Sequence, residues 1–254
     1  TKTDDGMNYC FSSKDRIRMS DGTSQRGHIF TRRRIYARPV PETRHEKAKK
    51  VVIQTINRYR PWLSRIHFKM HGFTFRGSDL TKIRDFIEEG RILVAHRPGN
   101  RADGIYYWYY DALHLRSHSA PGKKERALII HECTHAVMDM HSAYLTTHQS
   151  EAIAYVVQCL VADHEGLFLY AVDGTHHPMT DECSGHEACK FSIADQIATK
   201  VRGGVSNVNK HDQNRLLKAL KGDPNYAHQH GRPEYNGIKK RTMGPIPPVI
   251  PYGV

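Results

Sequence analysis

Apolar and polar positions recur with a helical period along most of this chain. Between residues 42 and 60, Val51, Val52, Ile56 and Tyr59 fall at helical spacing and predict a first helix. Pro61, which has no N–H to donate, is expected to end it. Ser78 and Asp79 read as an N-terminal cap, with Leu80, Ile83, Phe86 and Ile87 on one face and Gly90 as the stop. Residues 92–95 read as a short strand. After the turn residues Pro98, Gly99, Asn100, Asp103 and Gly104, the aromatic stretch 105–115 reads as one long strand. The two are expected to pair as a hairpin. Four helical patterns follow, over about 123–140, 149–164, 189–201 and 210–220, closed in turn by Ser- and Gly-containing breaks such as Gly166, Gly203-Gly204 and Gly222.

The flanks have another character. Residues 1–40 are rich in Gly, Ser, Asp and Arg, and predict a basic, largely extended arm. Residues 173–188 read as a polar loop. Residues 226–254 carry Pro245, Pro247, Pro248 and Pro251 and read as an extended tail. One domain is therefore expected over residues 41–225. It is α+β, mainly helical, with a small antiparallel sheet before the helix at 123–140.

Composition narrows the function classes. At 254 residues the chain can bury a core without disulfides, and no apolar run reaches the ~18 residues of a membrane span. The start, Thr1-Lys2-Thr3-Asp4-Asp5, has neither an initiator Met nor an apolar signal core. It reads as a fragment or processed product, secreted or delivered within a larger precursor, or otherwise cytoplasmic. The net charge of +12 sits at the ends: residues 1–40 hold 9 Lys/Arg against 4 Asp/Glu, residues 201–254 hold 9 against 3, and the middle is nearly balanced. Such flanks suit an acidic partner, or solubility alone. Five Cys do not make a disulfide framework, but 18 His direct attention to metal chemistry.

The segment 128–137, LIIHECTHAV, carries that chemistry. Residues four apart on a helix differ by about 40° in direction, so His131 and His135 point the same way and can grip one ion. Glu132 projects beside them as a base. Apolar residues on both sides imply that these groups are buried, and burying them without partners costs several kcal/mol. A zinc ion is the simplest compensation. A metal-free His–Glu hydrogen-bond network is the alternative.

With HExxH on a buried helix, residues 91–165 resemble the zincin metallopeptidases. The resemblance implies a zincin-like catalytic domain, a Zn2+ cofactor and hydrolysis of a protein or peptide substrate. In the gluzincin-like branch a Glu of the next helix is the third ligand, which makes Glu151 the candidate; a carboxylate favoured by the helix dipole is the plainer reading. In the metzincin-like branch His141 would serve, although Met138 stands where that pattern has Gly, and Met179 would mark the methionine turn. Glu132 would take a proton from water and pass it to the leaving amine. Tyr155, His176 or His177 would stabilise the oxyanion, with Tyr155 and His177 the leading candidates. The strand over 104–115 would be the edge that pairs with extended substrate.

Other residues have modest roles. Asp139 reads either as a carboxylate that orients a ligand imidazole or as a solvated helix-end residue. Cys183 and Cys189 bracket His186 and suit a small disulfide loop, a second metal site or plain thiols. Cys133 and Cys159 read as core residues. Small basic zincin domains occur as delivered parts of bacterial toxins and effectors, which this chain is similar to in size and core motif. Two competing classes are a basic nucleic-acid-binding protein with an incidental HExxH, and a non-catalytic zinc scaffold.

Overall fold

The computed structural model describes residues 43–98, 103–167, 190–226 and 231–238. The expected basic arm, the loop with His176, His177, Met179, Cys183, His186 and Cys189, and the prolines of the tail lie outside the described residues. The architecture is mixed α+β: α1 (Arg44–Leu63), β1 (His67–Met70), β2 (Phe73–Arg76), α2 (Asp79–Glu88), β3 (Leu93–His96), β4 (Gly104–Tyr107), β5 (Ala112–Leu115), α3 (Lys123–Met140), α4 (Thr147–His164), α5 (Lys190–Arg202) and α6 (Lys210–Gly222). No helix among the described residues is long and apolar enough to cross a membrane.

Helix α1 buries Val51, Val52, Ile56 and Tyr59, as its spacing implies. It does not stop at Pro61. The missing N–H costs the bond to the Asn57 carbonyl, but Leu63 is fully buried and Trp62 stacks on His164 at 4.5 Å, so packing carries the chain through one more turn. The β1–β2 hairpin and α2 follow, and α2 ends at Gly90 with φ +74°.

The sheet corrects two expectations. The stretch 105–115 is two strands, β4 and β5, separated by a 3₁₀ turn at Trp108–Tyr110 and by Asp111 at φ +46°. Asp tolerates this left-handed conformation better than most residues. The aromatic run thus folds back on itself, pairing β4 with β5 antiparallel. The expected hairpin of β3 with this stretch is replaced by a parallel β3–β5 pair, in the order β3-β5-β4. No Gly or Pro marks the break, and pairing both halves satisfies backbone groups that one long strand would have left at an edge.

Helices α3 and α4 form the centre. Every residue of α3 from Ile129 to Asp139 is buried, as is every residue of α4 from Ala152 to Ala162. Gly122 caps α3, and Glu125 Oε2 accepts its N–H at 2.7 Å. Helix α4 begins with a reciprocal box: Gln149 N donates to Thr146 Oγ1 and Thr146 N to Gln149 Oε1. The link between them is six residues, with Ser142 at φ +47° turning the chain, so α4 returns antiparallel along α3.

The far end of this pair is pinned by charge. Glu165, just past α4, accepts from Arg126 of α3 (2.8 Å to Nη2) and from Arg58 of α1 (2.9 Å), and Tyr59 Oη donates to it. Lys123 Nζ reaches the Glu165 carbonyl at 2.6 Å. One carboxylate therefore fixes the sliding of α4 against α3 and α1.

Candidate metal centre

On α3, His131 and His135 are one turn apart and buried, with Nε2 atoms 3.3 Å from each other. Helix α4 brings Glu151 across the pair. Its Oε2 is 3.4 Å from His131 Nε2, and its Oε1 is 3.4 Å from His135 Nε2. Two donors on one tetrahedral zinc, with bonds of about 2.0–2.1 Å, stand about 3.3–3.4 Å apart. The spacing therefore fits a zinc ion. At most one proton fits between two facing imidazole nitrogens, and neither His131 Nδ1 nor Glu151 Oε2 has a hydrogen-bond partner. Among the described residues these three are the group of His, Cys, Asp or Glu whose ligand atoms converge closely enough to hold an ion.

The electrostatics match. Burial alone would raise the Glu151 carboxyl, but His135 and His131 hold it below the ordinary carboxylate range. Burial disfavours a charge on His135, and the Glu151 carboxylate more than offsets it, so the His135 pKa is raised. Because α4 starts at Thr147 after the Thr146 cap, Glu151 sits in the second turn. The helix-dipole reading of Glu151 is therefore set aside, since that effect falls off within the first turn.

Glu132 lies outside the ligand group and is held from the sheet. Its Oε2 accepts the Tyr106 backbone N–H at 2.7 Å. That N–H points outward from β4, away from β5. Close approach needs Gly104: a Cβ there would meet Glu132 Cγ at 3.3 Å and the Leu115 and Leu128 side chains at 3.6 Å. The same two leucines, with Val51 and Ile129, line an apolar-floored cleft of about 400 Å³ whose rim includes His96 and His118.

A second layer surrounds the ligands. His135 Nδ1 is 3.0 Å from Tyr235 Oη, contributed by the segment after α6. Tyr155 of α4 sets its ring edge-on to His131, centroids 4.9 Å apart, and its hydroxyl is 2.8 Å from that of Tyr226. Burial, reinforced by the charges of Glu151 and Glu132 and by Tyr155, pushes the Tyr226 phenol far above its usual range, so it stays neutral. Lys190 Nζ pairs with Asp223 at 2.5 Å and lies 5.0 Å from the Tyr226 ring, bracing that corner.

The sequence candidates sort as follows. His131, His135 and Glu151 come together, Glu132 follows His131 on α3 and is held by the Tyr106 N–H, and Tyr155 sets its ring against that of His131. His177 lies outside the described residues. His141 is elsewhere: it follows the last turn of α3, and its Nε2 binds Asp79 Oδ2 at 2.8 Å. Six helical residues turn it away from His135. Asp139 fits neither of its readings. It is fully buried, and it accepts from Tyr106 Oη (2.9 Å) and from the N–H groups of Asn236 (2.9 Å) and Gly237 (3.2 Å), not from an imidazole. Cys133 is buried, with its thiol pKa pushed up by burial, and takes no part. Tyr226 and Tyr235 were not anticipated. The one available signal for Tyr235 was the turn pair Asn236-Gly237 right after it, in a polar stretch with little else to bury. No protein-family model, no curated protein and no solved structure matches this chain.

Proposed function

We propose that this protein is a zinc-dependent, zincin-like peptide hydrolase. The observation that carries the reading is the set of Nε2 and carboxylate atoms at zinc-ligand spacing, with a second carboxylate, that of Glu132, held by the Tyr106 N–H next to His131 in the chain. His131, His135 and Glu151 would hold the ion. When bound, zinc lowers the pKa of a water molecule towards about 7 and polarises a carbonyl.

The chain supplies the rest. Glu132, fixed by the Tyr106 N–H, accepts the proton of the attacking water and returns it to the leaving amine. The Tyr226 hydroxyl, kept neutral by burial and 2.8 Å from the Tyr155 hydroxyl, is the candidate donor for the developing oxyanion. Strand β4 is the last strand of its sheet among the described residues; Glu132 takes its outward Tyr106 N–H, so an extended peptide backbone would pair with the remaining outward groups of that edge. The cleft lined by Leu115 and Leu128, the two leucines that flank Gly104, has room for an apolar side chain, but none of His131, Glu132, His135 or Glu151 lines it.

Elemental analysis of the purified chain and turnover of a peptide library test this together. About one zinc per chain is expected, and Glu132→Gln should keep the zinc while losing roughly 10²–10⁴-fold in kcat. Full turnover in that variant removes Glu132 from the chemistry. No zinc, even after reconstitution, removes the metal.

A further inference from the structure

A closed circuit of hydrogen bonds joins the base to a metal ligand by a route that leaves the active-site helix and returns to it. Glu132 Oε2 accepts from Tyr106 N (2.7 Å), and Tyr106 Oη donates to Asp139 Oδ2 (2.9 Å). Asp139 Oδ1 accepts from the backbone N–H groups of Asn236 and Gly237. The adjoining Tyr235 places its hydroxyl on His135 Nδ1. Asp139, Tyr106 and Tyr235 are all buried, at 0%, 7% and 9% exposure.

Buried links of this kind act together. A carboxylate sealed from water must have its lone pairs satisfied, and Asp139 draws on Tyr106 on one side and the 236–237 backbone on the other, with the buried Asp111 also within 3.4 Å of the Tyr106 hydroxyl. The two N–H bonds fix where residue 235 enters the site. For Nε2 of His135 to offer its lone pair to a metal, the ring proton must sit on Nδ1, and an acceptor there favours that tautomer; His131 Nδ1 has no such partner. The Tyr235 oxygen, 3.0 Å from His135 Nδ1, is the acceptor that the geometry supplies.

We infer that Tyr235 is a positioning residue that selects the metal-binding tautomer of His135, and that Asp139 and Tyr106 set its place. The segment 231–238 is then part of the metal centre, although it supplies no ligand. The inference rests on the metal site proposed above. It assigns a zinc-affinity role to Tyr106, whose side chain touches no ligand.

Zinc dissociation constants, measured by chelator competition on the full chain, test it. Tyr235→Phe should weaken zinc binding by about 10- to 100-fold, the usual cost of losing an outer partner of a ligating His. Tyr106→Phe keeps its backbone N–H on Glu132 and should also weaken zinc binding. The double variant should lose less than the product of the two single losses, because both act through one contact. Circular dichroism and Tm follow folding, and the cobalt-loaded absorption spectrum reports ligand geometry for whatever fraction is folded. Wild-type zinc affinity in a folded Tyr235→Phe, or strictly multiplicative losses, overturns the inference. Absence of zinc binding in the wild type instead sinks the metal site beneath it.

Discussion

Glu165 offers the sharpest test of how the two ligand-bearing helices are held together. Its side chain is only 5% exposed and is gripped by Arg126, Tyr59 and Arg58. Burial would raise its pKa, but those hydrogen bonds and the Arg126 charge bring it from 4.5 down to about 2. A depressed carboxyl stabilises the fold fully above its unfolded pKa, and that stability drains away as pH falls through the folded value. The drop is roughly 2.5 units, or at most ~3.4 kcal/mol. Arg58 is 59% exposed, so solvent screening lowers the expected contribution to about 2 kcal/mol. Urea unfolding of wild type and Glu165→Gln, at pH 6 and at several lower values, measures it. The gap between the two proteins should narrow by about 2 kcal/mol between roughly pH 5 and pH 2, because only the wild type loses this term. A gap that stays constant over that window refutes the ion-pair account. At the low end of that range the two proteins should converge, because a protonated Glu165 leaves Arg126 without its carboxylate just as Gln does, with Tyr59 Oη and the Pro121 carbonyl still in place.

Three further outcomes follow from the site. Glu151→Ala should abolish tight zinc binding, whereas His141→Ala should leave it unchanged; the reverse pattern, read by zinc titration, would restore His141 as the third ligand. Gly104→Ala places a methyl 3.3 Å from Glu132 Cγ and should lower kcat at least several-fold with zinc content intact, so unchanged kinetics would mean that the base tolerates displacement. Tyr226→Phe removes the hydroxyl paired with Tyr155 and should reduce kcat by about 10²-fold with little change in KM. A pure KM effect would move Tyr226 from the chemistry to substrate binding.

The parts of the site that were legible in the sequence are the local ones. His131, Glu132 and His135 are set by helical rotation alone, which the period of α3 makes visible. Glu151 was readable because a carboxylate opening an apolar stretch needs a partner, although its turn was misplaced: the helix starts two residues earlier, at a Thr–Gln cap box. The β4–β5 reversal left no mark beyond Asp111, because its turn is made by aromatic residues that favour strands. Tyr235 and Tyr226 were hidden for a different reason. Their contacts with His135 and Tyr155 span 100 and 71 residues, and no periodicity reports which distant hydroxyl comes to rest on which ring.

That difference in sequence separation also orders the assembly of the protein. The helical hairpin of α3 and α4 needs only a six-residue link, and its ligand contacts join residues 20 apart. Bringing Tyr235 to His135 closes a loop five times longer, which costs about 1.4 kcal/mol more chain entropy for a flexible segment. Local contacts form first on this argument, so the hairpin can capture metal while the C-terminal segment is still undocked. On the proposed reading, a zinc ion captured there would act as a staple on the folding nucleus, and the last stretch of chain would close over a centre already begun.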